Sequence, residues 1–190
     1  YVPGIAMLNL ASPVLARMTM RQFARAQMEE LANYMGGQIQ LNVGSGRELV
    51  LVELAKGIED KLFAPEIGVG ISLSRTATGR AYLLALPQAQ RDAYLADLGA
   101  RDAERAHQLQ GRLDDARRDL ADYGFCRSHG DLHREIQSIA VPLSKPQDGE
   151  YWVFAASMPS YNPKSQQMET DIGPRLITLA RSVEAVLGGT

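Results

Sequence analysis

The run ELVLVELA, Glu48–Ala55, constrains the fold more than any other stretch of the chain. Its apolar side chains fall on both faces of an extended strand, so it requires cover on both sides. The segment before it, QIQLNV, alternates strictly, with Ile39, Leu41 and Val43 inward, as a half-exposed strand does. GSGR between them is a turn, and the two strands form a hairpin.

Helical patterns bracket this hairpin. Ser12-Pro13 reads as a helix start with proline in the first turn. TMRQ, Thr19–Gln22, reads as a capping box opening a helix with Ala24, Met28, Leu31 and Met35 on one face, stopped at Gly36-Gly37. KGIEDKLFAPEIGVG is a mixed loop leading to a short strand around Ile71–Leu73. SLSRTATGRAYLLALP then opens a helix at Thr76, with Ser74 as the rival cap; Pro87 ends it and begins another, which Gly99 closes. Ala106, Leu109, Leu113, Ala116, Leu120 and Tyr123 form a narrow apolar stripe on a helix stopped by Gly124, and the mixed charges beside it, with His107, make a solvated face. Strands near EIQSIAVPL and YWVFAAS, joined by the turn SKPQDGE, precede a final helix from about Asp171 to Leu187. Leu176, Ala180, Val183 and Leu187 lie on one side of it. Trp152 and the methionines read as core filling. The order predicts an α+β domain with one antiparallel sheet and flanking helices, with no repeat and no dividing linker.

At 190 residues, 45% apolar and 22% charged, the composition is that of one globular domain. The formal net charge of −2 argues against a direct grip on nucleic acid, which needs a far more basic chain. No apolar run approaches the ~20 residues that cross a bilayer, and no export leader is seen, so a cytoplasmic protein without membrane contact is expected. The single cysteine, Cys126, excludes an internal disulfide and follows a helix end, where a buried structural thiol is expected. The chain has no Gly-x-Ser-x-Gly elbow, phosphate loop or dinucleotide fingerprint, so neither an enzyme nor a cofactor is predicted.

Two stretches carry candidate chemistry. With Thr76 as cap, the amides of Ala77 and Thr78 lie in the first helical turn without intrahelical acceptors, and together with the helix dipole they favour a carboxylate or phosphate. The plainer alternative is a cap satisfied by water. Gly79, lacking Cβ, lets another backbone or a ligand come close. In HGDLHRE, the residues His129, Asp131, His133 and Glu135 share a face if the segment is extended, an arrangement able to hold a divalent metal. A polar loop over the sheet is the preferred reading there.

Three motifs occur in order. They are TATGRA, Thr76–Ala81, preceded by Gly68; GFCRSHGDLHREIQSIAVPL, from Gly124 with Ser138 inside it; and FAASMP on the following strand. Together they resemble the C-terminal, effector-binding part of IclR-type transcription regulators, over nearly the whole chain. The resemblance implies a GAF- or PAS-like fold, a curved antiparallel sheet holding a small molecule with helices behind it. It also implies that residues 1–190 are an effector-binding and oligomerisation domain, with the DNA-binding winged helix-turn-helix absent from this chain and YVPG similar to the chain leaving the wing. On this resemblance the backbone at Ala77 and Thr78 holds an effector carboxylate. Ser138 stands where many members have cysteine, Ser128 replaces a common aspartate, Ala155 replaces a serine, and Ser157 keeps its hydroxyl. Ser72 and Ser74 stand where the family has proline and histidine. His129 can supply a replacement polar contact, and Leu62 and Phe63 an apolar lid. Val153, Ala155 and Ser157 share one strand face, as do Ile136, Ser138 and Ala140. The less polar pocket predicts an organic acid with a larger apolar or aromatic body, bound by a homodimer or tetramer paired through its end helices, with DNA reached only through the absent domain. Two rivals are a small metal-dependent enzyme using His129, Asp131 and His133, and a GAF-like module that only dimerises, its cavity filled by side chains.

Overall fold

A computed structural model of the protein describes residues 8–188 apart from residue 46, so the YVPG segment lies outside the described residues. The elements run α1 (Leu8–Arg17), α2 (Thr19–Met35), β1 (Gln38–Ser45), β2 (Glu48–Lys56), β3 (Gly70–Ile71), α3 (Ala77–Ala85), α4 (Gln88–Arg101), α5 (Ala103–Asp122), β4 (Cys126–His129), β5 (Ile136–Pro142), β6 (Trp152–Pro159) and α6 (Gly173–Gly188). A 3₁₀ turn (Ser165–Gln167) and a π turn (Met168–Ile172) lead into α6. All six strands form one curled antiparallel sheet in the order β3-β2-β1-β6-β5-β4.

Two cores result, one on each face of the sheet. Helices α2 and α6 cover the back, where Met28, Met35, Ile39, Leu41, Phe154 and Leu176 pack together. Helices α3 and α5 cover the front over Leu49, Val153, Ala155, Tyr82, Leu83 and Leu113, with α4 packed on α5. Strand β6 shows the period of two in full: Trp152, Phe154, Ala156 and Met158 belong to the back core, Val153 and Ala155 to the front core. As predicted, β2 is buried on both faces, and a bulge opposite Leu41 and Asn42 lets it serve both cores. Trp152 and the methionines 20, 28, 35, 158 and 168 are buried, Met18 is only partly buried against the back core, and Met7 lies outside the described residues.

Several local expectations are corrected. Pro13 lies inside α1, where its ring leaves the carbonyl of Asn9 without the usual amide donor. The capping box at Thr19 does not form: Met18 occupies the cap position without a side-chain bond, and Gln22 instead donates to the carbonyl of Ala16. Gly99 does not end α4, which runs on to Arg101 because the capping group is Asp102, whose carboxylate accepts from the amide of Arg105 and starts α5. Strand β1 is not half-exposed. On its polar side Gln38 and Asn42 are both buried.

Cys126 is buried in β4 with its thiol directed to the carbonyl of Ala116 at 3.8 Å. Burial pushes its pKa up to about 12. The native protein at pH 8 is therefore expected to leave a chromogenic disulfide reagent unreacted, and to react with it once unfolded in guanidinium; fast native labelling would overturn this.

Candidate functional site

The front layer does not close over one end of the sheet. Between the start of α3, the loop before β3 and the turn after β4 lies a cavity of about 320 Å³. Its deep wall is a single row of polar side chains. Antiparallel register sets Gln38 of β1 opposite Ser157 of β6, Ser157 opposite Ser138 of β5, and Ser138 opposite Ser128 of β4. Directly opposed residues in antiparallel strands point to the same face, and all four line the cavity. The hydroxyls of Ser138 and Ser157 lie 3.0 Å apart.

Helix α3 aims its first turn at this row. Thr76 is the cap, as predicted: its hydroxyl accepts from the amide of Gly79 at 2.9 Å and donates to the carbonyl of Ser72 at 2.8 Å, and its carbonyl accepts from Arg80 at 3.1 Å. The amides of Ala77 and Thr78 find no acceptor among the described residues, and both residues line the cavity. The close approach that Gly79 permits is by backbone, since a Cβ there would lie 2.4 Å from Cα of Leu73. That contact holds the start of α3 against the strand end before it.

The exposed rim is largely apolar. Leu62, Phe63, Pro65 and Val69 come from the loop, Ile71 from β3, Leu132 from the turn after β4 and Ile136 from the start of β5. Phe63 is 90% exposed at the mouth rather than folded inward. The loop is tied to the deep wall through Gln38, whose side-chain amide donates to Asp60 at 2.9 Å and to the carbonyls of Leu62 and Phe63. None of the eighteen lining residues is a carboxylate, whereas Arg75 and His133 are among them. The lining itself thus offers one guanidinium and two open amides to an anion, while the carboxylates of Asp60 and Asp131 are already engaged behind Gln38 and Ser128.

Seven of the nine residues singled out in the sequence therefore meet at one hollow: Leu62, Phe63, Ala77, Thr78, Ser128, Ser138 and Ser157. Ala155 does not. It lies one rung deeper, opposite Gln40 and Ala140, packed in the front core with α3. His129 does not either: it follows Ser128 in the same strand and faces the opposite way, with its Nε2 3.7 Å from Glu169. The shared face drawn for His129, Asp131, His133 and Glu135 is also absent, because β4 ends at His129 and the chain turns at Gly130, whose φ of 81° suits glycine. Asp131 is directed to Arg80 and Arg112, and no group of three metal-ligating side chains gathers among the described residues. The hollow also contradicts the rival in which side chains fill the cavity. Sequence reasoning missed Gln38, Gln40 and Arg75, and it named His133 as a metal candidate rather than as a residue of this cavity. The alternation in QIQLNV was the available signal for the glutamines, had its polar side been assigned to a cavity instead of to solvent.

A curled antiparallel sheet with helices on both faces and a ligand-sized hollow under one of them defines a GAF-like domain. Comparison places it further. The family described as Bacterial transcriptional regulator IclR C-terminal matches residues 12–184, and the chain belongs to that family. It is 31% identical to an IclR family transcriptional regulator from Brucella abortus whose crystal structure superposes with a TM-score of 0.87, over 96% of this chain and 69% of that one. It is 23% identical over 184 residues to the HTH-type transcriptional regulator TsaQ1/TsaQ2 of Comamonas testosteroni, and 25% identical over 148 residues to the HTH-type transcriptional regulator KipR of Bacillus subtilis. These alignments cover 96% and 75% of this chain, which spans 66% and 58% of those two relatives. Among the described residues no helix is long and apolar enough to cross a membrane.

Proposed function

We propose that this domain senses an organic acid, seating the carboxylate on the amides of Ala77 and Thr78 and the body of the molecule, apolar or aromatic, against Leu62, Phe63, Val69, Ile71 and Leu132. The observation that carries the reading is the row Gln38–Ser157–Ser138–Ser128 facing two open amides in a cavity without a carboxylate. Size supports it. A cavity of 320 Å³ corresponds to roughly ten water molecules, about twice the volume of cavities known to hold benzene, so a two- or three-carbon acid would leave most of it unfilled. The domain has no catalytic role in this reading. It works in the cytoplasm as a homodimer or tetramer within a longer regulator, and a helix-turn-helix domain outside these 190 residues contacts DNA. Binding shifts that regulator only so far as the acid prefers one arrangement of subunits over another.

Calorimetric titration with benzoate, phenylacetate and hexanoate is expected to give saturable one-to-one binding, with pyruvate weak or silent. Binding of pyruvate alone would count against the apolar body. The variant Ala77→Pro tests the amide: proline is tolerated at the first helical position, and Thr76 already has the extended backbone that precedes proline, with φ −129° and ψ 152°. The substitution removes one N–H while leaving α3 in place, and should weaken the acid by about tenfold without lowering Tm much.

A further inference from the structure

Beyond Arg75, on the side away from the first cavity, a second groove of about 310 Å³ runs between the residues leading into α3 and one face of α5. Four guanidinium groups line it, from Arg75, Arg80, Arg105 and Arg112, against one carboxylate, Asp131. Asp131 has both oxygens engaged, by Arg80 at 2.7 Å and Arg112 at 2.8 Å. Arg105 has Asp102 at 3.5 Å, but that carboxylate already caps α5. Arg75 has no carboxylate within ion-pair distance among the described residues. Four cations thus face at most two anions.

Arg105 has an aspartate three residues back, as other arginines of this helix do, but at the longer distance of 3.5 Å. Arg117 and Arg118 each pair with an aspartate three residues back, Asp114 and Asp115, and their charge is neutralised on the spot. Arg105, Gln108 and Arg112 instead lie about one helical turn apart along one face, all on the groove. The floor is buried, with the Arg80 and Asp131 side chains only 3% and 9% exposed, while the Arg105 and Arg112 side chains remain half-exposed, each with guanidinium donors left over from its one carboxylate pair. Guanidinium forks match carboxylate and phosphate oxygens in pairs, and the uncompensated charge favours more than one of them.

We infer that this groove binds a compact small molecule carrying two or more negative charges, its carboxylate or phosphate groups held by Arg105 and Arg112 over the Arg80–Asp131 floor. The inference does not depend on what the first cavity takes. Because Arg75 borders both hollows, the test is confined to α5.

The chain is titrated calorimetrically with sodium pyrophosphate and with sodium citrate, in chloride buffer of matched ionic strength. Saturable one-to-one binding of either is expected, and which of the two binds identifies phosphate or carboxylate as the preferred group. Binding should weaken about tenfold or more in Arg105→Gln/Arg112→Gln and stay unchanged in the charge-matched Arg117→Gln/Arg118→Gln. Arg105→Gln alone leaves the Asp131 pairs intact, so a loss there with an unchanged Tm separates a lost contact from a lost fold. Non-saturating heats with both probes, equal weakening in the two double variants, or unaltered binding in Arg105→Gln/Arg112→Gln would each overturn the inference.

Discussion

Arg80→Met is expected to lower the unfolding free energy by about 3 kcal/mol at pH 7. Arg80 is a charged side chain almost wholly withdrawn from water, donating to Asp131 at 2.7 Å and to the carbonyl of Arg127 at 2.8 Å. Methionine fills much of the space but leaves a buried carboxylate and a buried carbonyl short of donors. Breaking a buried pair by removing one partner costs about 3–5 kcal/mol, and the surviving contact from Arg112 places the cost at the low end. The effect depends on pH. Burial raises the Asp131 pKa, but the charge of Arg80 and the hydrogen bonds from Arg80 and Ser128 outweigh it and hold the carboxyl below its ordinary value. A depressed folded-state pKa contributes stability above the unfolded pKa, and that contribution is lost as pH falls through the folded value. Without Arg80 the contribution disappears while burial remains, so the deficit against the parent chain should be largest near neutrality and narrow below about pH 4. Urea unfolding at pH 7 and pH 3.5 measures both. An equal deficit at the two values would mean that packing, not charge, is what Arg80 supplies.

Gly79→Ala is expected to cost about 3 kcal/mol and to abolish binding at the first cavity, although alanine is the better helix former. The new Cβ would lie 2.4 Å from Cα of Leu73 and 2.5 Å from the carbonyl oxygens of Leu73 and Ser72. These are backbone atoms, unable to swing aside as a side chain does, so α3 must move off the strand end and take the amides of Ala77 and Thr78 with it. Gly111→Ala is the control. It is an exposed position in α5 with nothing within 4 Å of the added methyl, so helix propensity alone should raise stability by about 1 kcal/mol. Thermal melts of both variants, with calorimetry using benzoate, give opposite signs if the contact at Leu73 is the cause. A Gly79→Ala protein with parental Tm would remove that contact from the account.

The elements carrying local signals are legible in the sequence. The doubly apolar run at Glu48–Ala55 did become a strand covered on both sides, Thr76 did cap α3, and Gly124, with φ of 82°, follows the end of α5. Where two short-range signals competed, the nearer partner prevailed: Asp102 reaches an amide three residues ahead, so Gly99 stays helical. The serines at 128, 138 and 157 were named from the family resemblance, with alternation giving the strand faces of the last two, and the hydroxyls of Ser138 and Ser157 do meet.

Alternation tells which residues share a face but not what covers that face or how far along it an adjoining helix reaches. That is why Ala155 and Ser157, both on the front of β6, part company: α3 packs over the first and leaves the second beside a cavity. The pairing of Gln38 with Ser157 joins strands far apart in the chain, and it is set by the cores on both faces rather than by any local pattern. The same holds for Arg75 and His133, on turns whose direction depends on what they pack against. Chain-local energetics decided the helices, the strands and the cap, because propensity and capping act within a few residues. The polar row, the hollow in front of it and the arginine groove beside it exist only once six strands take their register and α3 and α5 cover one side, because each is made of contacts between segments that no short window of sequence contains.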